Sequence, residues 1–180
     1  MIHRELPTRH RIEVPGDGRA PIGLRGVSDV EVRIATPEDA SVVGRLLWEF
    51  NTEFETPTPS AEELATRFTR LLALEEVVVL LAGGEEPSGF AYLTLRPTPY
   101  FEGPLAQLEE LYVRPKQRGR GIGTALLQRG LQLCRERSAG EMHINVDEVD
   151  TDSRRFYERH GFLNVLPGTD CRMLFYEQEL

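Results

Sequence analysis

The segment Val113-Arg-Pro-Lys-Gln-Arg-Gly-Arg-Gly-Ile-Gly-Thr124 is the most informative part of this 180-residue chain. Its glycines lack the Cβ atom that would keep a ligand away from the backbone. The segment also precedes an amphipathic stretch, so it predicts the start of a helix, where the first N–H groups have no intrahelical partner. The positive end of the helix dipole adds to the attraction for anions. We therefore predict an anion-binding loop here, with a pyrophosphate as its natural ligand.

Two common phosphate-binding loops do not fit this segment. A nucleotide-hydrolase loop ends in Gly-Lys followed by Ser or Thr, but Lys116, the only lysine of the chain, precedes the glycines. A dinucleotide loop needs the spacing G-x-G-x-x-G, and no third glycine falls at the required position. The pattern Gln117-Arg-Gly-Arg-Gly-Ile-Gly123 resembles instead the Q/R-x-x-G-x-G/A signature of the GCN5-related N-acetyltransferase (GNAT) superfamily, whose loop holds the pyrophosphate of coenzyme A.

The resemblance extends over residues 31–165. Leu108-Glu-Glu-Leu-Tyr-Val113 is similar to the fourth strand of that family, and Arg154-Arg-Phe-Tyr-Glu-Arg-His-Gly-Phe162 is similar to its last helix and turn. The resemblance implies an α+β fold, an α/β/α sandwich in which a mixed, mostly antiparallel sheet of six or seven strands carries helices on both faces. On this basis residues 31–180 form the N-acetyltransferase domain. Residues 1–30, rich in proline and glycine, are predicted to be an extended or loosely ordered N-terminal extension.

The hydrophobic pattern predicts the elements of such a fold. Strands are predicted at 31–35, 77–82, 89–95, 106–113, 142–146 and 173–176. Helices are predicted from Pro37 to about Phe50, from the capping box Ser60-Ala-Glu-Glu63 onward, and from about Gly121 to Ser138. The strands before the glycine-rich segment suggest an antiparallel meander, and the helix after it suggests one parallel crossover.

Charge and composition restrict the class of partner. The formal net charge of −8 argues against nucleic acid, whose binders usually carry a basic face, and favours a cationic acceptor. No apolar run reaches the roughly 20 residues of a membrane helix, and no secretory signal is recognised, so we expect a cytoplasmic protein without membrane contact. Cys134 and Cys171 are predicted to be packed thiols. No grouping of His, Cys and Asp has metal-ligand spacing, so no metal is predicted.

The resemblance implies how acetyl-CoA, the co-substrate, is held. In the family, backbone N–H groups at the end of the fourth strand bind the pantetheine arm and polarise the thioester, which corresponds to Leu111, Tyr112 and Val113 here. Main-chain donors of this kind act as an oxyanion hole. The pyrophosphate-binding residues implied by the loop signature are Arg118, Gly119, Arg120, Gly121, Ile122, Gly123 and Thr124.

Acetyl transfer to an amine also needs a base for the amine and an acid for the leaving thiolate. Glu109 and Glu110 are the candidate bases. Adjacent strand residues point to opposite faces unless a bulge intervenes, so the sequence leaves the choice open, and either glutamate could instead bind a cationic head group. The resemblance implies that Tyr157 directs its hydroxyl at the sulfur and protonates the thiolate. The alternative is a tyrosine buried beside Phe156 and Phe162.

The acceptor site of the family lies partly between its first two helices. The candidates in that region are Trp48, Phe50, Glu53, Phe54 and Glu55, with the alternative that the aromatic rings are core and the carboxylates solvated.

The chain departs from the family pattern at Asp150, where many members carry an asparagine that contacts pantetheine. An ionised aspartate accepts hydrogen bonds but donates none, which weakens the case for a coenzyme contact there. An acidic cluster surrounds this position, formed by Asp147, Glu148, Asp150 and Asp152. It either faces a polycationic acceptor, such as an aminoglycoside or polyamine, or is a solvated loop.

These features predict an acetyl-CoA-dependent N-acetyltransferase, in which a primary amine, expected to be small and cationic, attacks the thioester directly in a ternary complex. Two alternatives stay open. One is a non-catalytic acyl-CoA-binding or regulatory module, and the other is a protein or peptide N-acetyltransferase. Dimers are common in the family, and the predicted strand Met173-Leu-Phe-Tyr176 offers an edge for a homodimer.

Overall fold

The computed structural model describes residues 30–166 and 168–178, so the predicted N-terminal extension lies outside the described residues except for Val30. Within that part, five strands form one sheet in the order β1-β2-β3-β4-β5. They are β1 Val32–Ile34, β2 Val77–Ala82, β3 Gly89–Arg96, β4 Leu105–Val113 and β5 Glu141–Ile144. Neighbours are antiparallel except β4 and β5, which are parallel. The predicted α+β class and the mixed, mostly antiparallel sheet are confirmed, although this part of the chain has fewer strands than the predicted six or seven.

The α-helices of the described residues are α1 Ala40–Glu53, α2 Ala61–Leu71, α3 Ile122–Glu136 and α4 Thr151–Arg159. The predicted capping box of α2 is confirmed, since the Glu63 N–H donates to the Ser60 hydroxyl at 3.2 Å and the Ser60 N–H donates to the Glu63 carboxylate at 2.9 Å. Such reciprocal bonds satisfy N–H groups that the first helical turn leaves without partners. None of the helices in the described ranges is both long and apolar enough to span a membrane.

The sheet separates two apolar clusters, because alternate residues of each strand face opposite sides. On one side Leu80 of β2 joins Leu126 of α3 in a buried cluster. On the other side Val79, the preceding strand residue, joins Leu46 of α1 and Phe68 of α2. Helices therefore cover both faces, as predicted.

β4 pairs with β5 over only part of its length. The parallel pairs run from Leu105↔Glu141 to Leu108↔Ile144. β5 ends at Ile144, whereas β4 continues to Val113. Beyond Leu108, no strand in the described part of the chain pairs with β4 on that side. The two strands therefore separate beyond Leu108, and the end of β4 is left open to a cavity.

Two predictions near the C-terminus are wrong. Met173–Tyr176 is not a strand, because the backbone pairing in this region is confined to a single bridge between Val165 and Arg172 among the described residues. The four side chains from Met173 to Tyr176 are exposed. The segment has the apolar composition of a strand, but among the described residues it has no neighbouring strand to pair with. Cys134 is buried, as predicted, whereas Cys171 is exposed.

Candidate active site

A cavity of about 1100 Å³ opens where β4 and β5 separate. Its walls come from the end of α1, the far half of β4, the glycine-rich loop with the start of α3, the residues after β5, the α4 helix and the C-terminal segment. Of the residues predicted to bind or react, it is lined by Phe50, Glu53, Phe54, Glu109, Glu110, Leu111, Tyr112, Val113, Arg118, Gly119, Gly121, Ile122, Gly123, Thr124 and Tyr157. One fold feature thus brings together the predicted coenzyme, catalytic and acceptor residues.

The glycine-rich loop exposes backbone to this cavity. Gly119 and Gly121 adopt φ angles of 74° and 81°, a left-handed conformation that glycine adopts without strain. A Cβ atom on Gly119 would meet nothing within 4 Å, so a side chain there would project into the open space beside the loop. The residues present therefore leave room for an anion to approach the main chain.

The start of α3 supplies N–H donors to the same space. Its first intrahelical bond runs from the Ala125 N–H to the Gly121 carbonyl at 2.9 Å. The amides of residues 122–124 therefore have no acceptor within the helix, and all three residues line the cavity. These donors and the helix dipole fit the diphosphate of acetyl-CoA. Arg120, the remaining predicted loop residue, does not line the cavity.

A β-bulge in β4 determines how the two glutamates are placed. Tyr92 pairs with Glu110 and Leu93 pairs with Leu108, so Glu109 is an extra residue in the ladder. Tyr92 packs against the cluster on the α1 and α2 side, which places its partner Glu110 on that side as well. The Thr94 hydroxyl donates to the Glu109 carboxylate, and Thr94 lies on the same face of β3 as Tyr92. The bulge therefore puts both carboxylates on one side of the sheet.

Glu110 is the better candidate for a base. Burial, and secondarily the charge of Glu109, raises the pKa of Glu110 to about 7. Glu110 is half-buried while Glu109 is exposed, because the ladder continues through Glu110 but not through the bulged residue. A carboxyl group that titrates near neutrality can take up and release a proton under ordinary conditions. On electrostatic grounds, the structure therefore favours Glu110 over Glu109 as the candidate base.

Tyr157 lies across the cavity on α4. It is 8 % exposed, and its ring packs edge-on against Phe156 and Phe162 at centroid distances of 5.2 and 5.5 Å. Burial raises the pKa of Tyr157 above its usual value, and the charges of Glu110 and Asp150 raise it further. The phenol therefore stays protonated and able to donate. Tyr157 both packs against aromatic rings and lines the cavity. Its burial is therefore compatible with the predicted role as an acid.

Asp150 has a structural role, as a helix cap, that the sequence analysis did not predict. Its carboxylate accepts a hydrogen bond from the Ser153 N–H at 3.0 Å and caps the N-terminus of α4. The Ser153 hydroxyl and N–H lower the pKa of Asp150, so the cap is ionised at neutral pH. Asp150 holds the helix that carries Tyr157, and this role needs an acceptor only. Asn145 lines the same cavity from the end of β5.

The last turn of α1 and Phe54, where the acceptor was predicted to bind, form one end of the cavity. Phe54 is 57 % exposed and lines the cavity, and Phe50 packs against Tyr112 at a centroid distance of 5.3 Å. Trp48 is 40 % exposed and does not line the cavity, and neither does Glu55. The last turn of α1 thus presents one face of aromatic and acidic groups, and its other residues point elsewhere.

Sequence reasoning missed several residues of the site. Phe175 and Glu177, from the segment predicted to be a strand and the residues after it, line the cavity, as does Arg159 of α4. Thr94 was not considered, although its hydroxyl holds Glu109. None of these carries a local signal, because each reaches the cavity through the tertiary fold. Among residues 30–166 and 168–178 no group of three or more His, Cys, Asp or Glu side chains could hold a metal ion.

Comparison with known proteins agrees with this geometry. Residues 42–162 match the profile of the acetyltransferase (GNAT) family, and the chain therefore belongs to that family. An aminoglycoside N(6')-acetyltransferase type 1 of Stenotrophomonas maltophilia is 31 % identical over 140 residues, which cover 73 % of this chain and 84 % of that protein. Shorter matches, the first to a mycothiol acetyltransferase of Thermobispora bispora, cover only 21 % to 29 % of the length of the relatives concerned.

Solved structures show the same fold. A candidate acetyltransferase from Arthrobacter sp. FB24 is similar with a TM-score of 0.78 at 49 % identity, over 91 % of this chain and 100 % of that one. An aminoglycoside acetyltransferase from an uncultured soil metagenomic sample, solved in complex with sisomicin, is similar with a TM-score of 0.68 at 22 % identity, over 84 % of this chain and 96 % of that one. At this lower identity the similarity concerns the fold alone.

Proposed function

We propose that the protein transfers the acetyl group of acetyl-CoA to the primary amine of a small cationic acceptor, by direct attack in a ternary complex. The observation that carries the proposal is the position of Glu110 and Tyr157 in one cavity, next to the amides at the start of α3. A proton acceptor that titrates near neutrality and a protonated phenol are the pair of groups that this reaction needs. The family relationship supplies the class of reaction.

The proposed binding mode uses backbone donors at both ends of the coenzyme. The amides of residues 122–124 hold the diphosphate. Residues 111–113 pair with β3 on one side but have no β5 partner among the described residues on the other. The main-chain N–H groups that face away from β3 are therefore available to the pantetheine arm and the thioester carbonyl. A main-chain donor at that carbonyl stabilises the negative charge that develops on oxygen, an effect worth roughly 3 kcal/mol per donor.

In the proposed reaction Glu110 accepts the proton of the acceptor ammonium, directly or through a water molecule. The neutral nitrogen then forms a bond to the acyl carbon, and the carbon–sulfur bond breaks. Tyr157 donates its proton to the thiolate sulfur and recovers one from the nitrogen, which loses its second proton as the amide forms. The products are the acetylated amine and the free thiol, with the first proton on Glu110. Protonation of Glu110 removes one of the charges that raise the pKa of Tyr157, so uptake of the first proton makes donation of the second easier.

The charge of the cavity supports a cationic acceptor. Its acidic lining residues outnumber its basic ones, which are Arg118 and Arg159; the acidic ones are Glu53, Glu109, Glu110, Asp147, Asp150, Asp152 and Glu177. An excess of carboxylates in a cleft concentrates a cation near the reacting centre. One relative is an aminoglycoside N(6')-acetyltransferase, and aminoglycosides are acceptors of this type. The similarity to that protein favours a multiply charged small molecule over a peptide.

The test is release of free thiol from acetyl-CoA in the presence of polyamines, aminoglycosides, amino acids and peptides, measured separately for each acceptor. We expect turnover with a polyamine or an aminoglycoside and little turnover with peptides. Turnover with peptides alone would overturn the small-molecule assignment. Binding of acetyl-CoA without turnover across the panel would identify a non-catalytic acyl-CoA-binding module instead.

A further inference from the structure

The last turn of α1 is joined to the end of β4 and to the loop by two carboxylate–guanidinium pairs. In the inner pair, Glu49 accepts hydrogen bonds from Arg114 at 2.7 and 2.9 Å. In the outer pair, Glu53 accepts from Arg118 with N···O distances of 2.8 and 2.9 Å. Residues four apart lie on the same face of a helix, so α1 presents both carboxylates to the same part of the molecule.

The two pairs differ in their surroundings. Arg114 also donates to the Pro87 carbonyl at 3.0 Å, and neither member of the inner pair lines the cavity. Both members of the outer pair line it, and the Arg118 side chain is 44 % exposed. The inner pair is therefore a structural connection, whereas the outer pair lies at the junction between the predicted acceptor and diphosphate ends.

A diphosphate would compete directly with Glu53 for Arg118. Arg118 immediately precedes Gly119 and the amides that form the anion site. A diphosphate carries more negative charge than one carboxylate, and guanidinium groups form strong bidentate hydrogen bonds to phosphate oxygens. The existing pair is partly exposed, and pairs of this kind contribute little to stability. The exchange gives up this weak pair and the bond from the Arg118 Nε–H to the Val113 carbonyl at 2.8 Å, and it gains a partner of higher charge.

We infer that Glu53 is an acceptor-binding carboxylate, which Arg118 occupies until the diphosphate of acetyl-CoA recruits the guanidinium group. This inference rests on the proposed function and specifies one residue that selects the acceptor. The Glu53 carboxylate also lies near the Tyr112 phenol, whose pKa is raised by burial and further by this charge. Once Arg118 leaves, the carboxylate beside Phe54 is free to bind a second ammonium group of the acceptor.

The inference predicts that Glu53 weakens coenzyme binding in the wild-type protein. Glu53→Gln keeps the shape of the side chain but removes the charge that holds Arg118, so acetyl-CoA should bind about fivefold tighter, the factor expected for a partly exposed pair. Inorganic pyrophosphate alone should show the same gain, because the competition concerns the diphosphate. The matched control is Glu49→Gln, which removes the inner pair and should leave both affinities unchanged.

Calorimetric titration of the full-length wild-type protein and both variants with acetyl-CoA and with inorganic pyrophosphate measures these affinities. Thermal melting confirms that each variant is folded. Unchanged or weaker binding by the Glu53→Gln variant, or a gain for acetyl-CoA but not for pyrophosphate, would overturn the inference. If the wild-type protein itself does not bind acetyl-CoA, the proposed function is wrong and not merely the role of Glu53.

The second half of the inference concerns the acceptor. With the acceptor that gives the fastest thiol release in the panel, Glu53→Gln should raise KM for the acceptor about tenfold and change kcat little, as expected for a residue that binds but does not react. The Glu49→Gln variant should keep the wild-type KM. An unchanged KM in the Glu53→Gln variant would remove Glu53 from acceptor binding.

Discussion

The two ends of the cavity are built from different parts of the protein. The proposed diphosphate end consists mostly of main chain, namely the left-handed glycines and the first amides of α3, with the Arg118 side chain beside them, all within residues 117–124. The acceptor end consists of side chains from α1, β4 and α4, which are far apart in the sequence. A short motif is sufficient to form the first end, whereas the second exists only when the whole domain is folded. Substitutions at the two ends should therefore change different measured quantities.

The largest expected effect is at Glu110. Glu110→Gln removes the proposed base and should lower kcat on the order of 100-fold, while the affinity for acetyl-CoA stays the same. Because the base must be ionised and the pKa of Glu110 is about 7, wild-type activity should rise with pH through neutrality. A pH–rate profile and a binding titration test this point. Equal loss of activity and acetyl-CoA affinity would contradict the separation of the two ends.

The same variant should gain stability. The folded-state pKa of Glu110 lies above its ordinary value of 4.5, so ionisation opposes folding, and the destabilisation appears as the pH rises through that range. Glu110→Gln should therefore melt at a higher temperature than the wild type at pH 8 and at a similar temperature at pH 4. Thermal melts at both pH values measure the difference, and a variant that is less stable at pH 8 would contradict the electrostatic account.

A smaller kinetic effect is expected at Tyr157. Tyr157→Phe keeps the packing of the ring but removes the proton that the thiolate receives, so kcat should fall by at least roughly tenfold. Acetyl-CoA affinity should stay nearly unchanged, since the hydroxyl acts on the leaving group and not on the bound coenzyme. Steady-state kinetics and calorimetry provide the two measurements. Full activity of the variant would leave Tyr157 as a packed residue without a role in the reaction.

At the diphosphate end the pattern should reverse. Gly119→Ala places a side chain at a φ of 74°, a strained conformation that costs about 1 kcal/mol or more, and points it into the cavity. Acetyl-CoA affinity should fall about fivefold or more, and kcat at saturating coenzyme should change little. Gly168→Ala is the matched control, because Gly168 has a φ of 77° and equally open surroundings but does not line the cavity. Similar losses of affinity in both variants would indicate a global effect.

The smallest effect is expected at Glu109. Its charge is the lesser cause of the raised pKa of Glu110, after burial. Glu109→Gln should therefore lower the pKa of Glu110 and shift the rise of activity to lower pH, with little change in the plateau rate. The pH–rate profile is again the measurement. A large fall of the plateau would instead identify Glu109 as the base.

The parts of the structure that the sequence predicted well are those governed by local chemistry. The capping box at Ser60, the strand boundaries at 77–82 and the glycine-rich start of α3 all depend on residues close in the chain. The end of α3 was predicted less accurately, because the helix ends at Glu136 and the predicted last residue, Ser138, takes the left-handed conformation with φ 56°. A glycine is needed at position 140, since a Cβ atom there would lie 2.1 Å from the ring of Phe101.

The acceptor end was harder to predict because it depends on the alignment of distant elements. The inner pair, Glu49 with Arg114, and the outer pair, Glu53 with Arg118, each join residues that are 65 positions apart. No local sequence pattern predicts such pairs. The choice between Glu109 and Glu110 needed the position of the bulge, which is defined by the pairing of β4 with β3. The conformation of 173–178 likewise depends on the absence of a neighbouring strand within the described ranges, and composition does not report this.

The extra residue in β4 has a consequence for how such a domain can change over evolution. Because Glu109 is an extra residue, the alternation of side chains between the two faces of β4 is interrupted there. The residues before the bulge and those after it therefore follow separate alternating patterns. Exchanges in the second half can alter which chemical groups reach the cavity without moving Leu108 out of the core. Deletion of that single residue would restore the regular alternation and leave Glu110 opposite Tyr92, so the domain could lose one of the two carboxylates without turning the other away from the cavity.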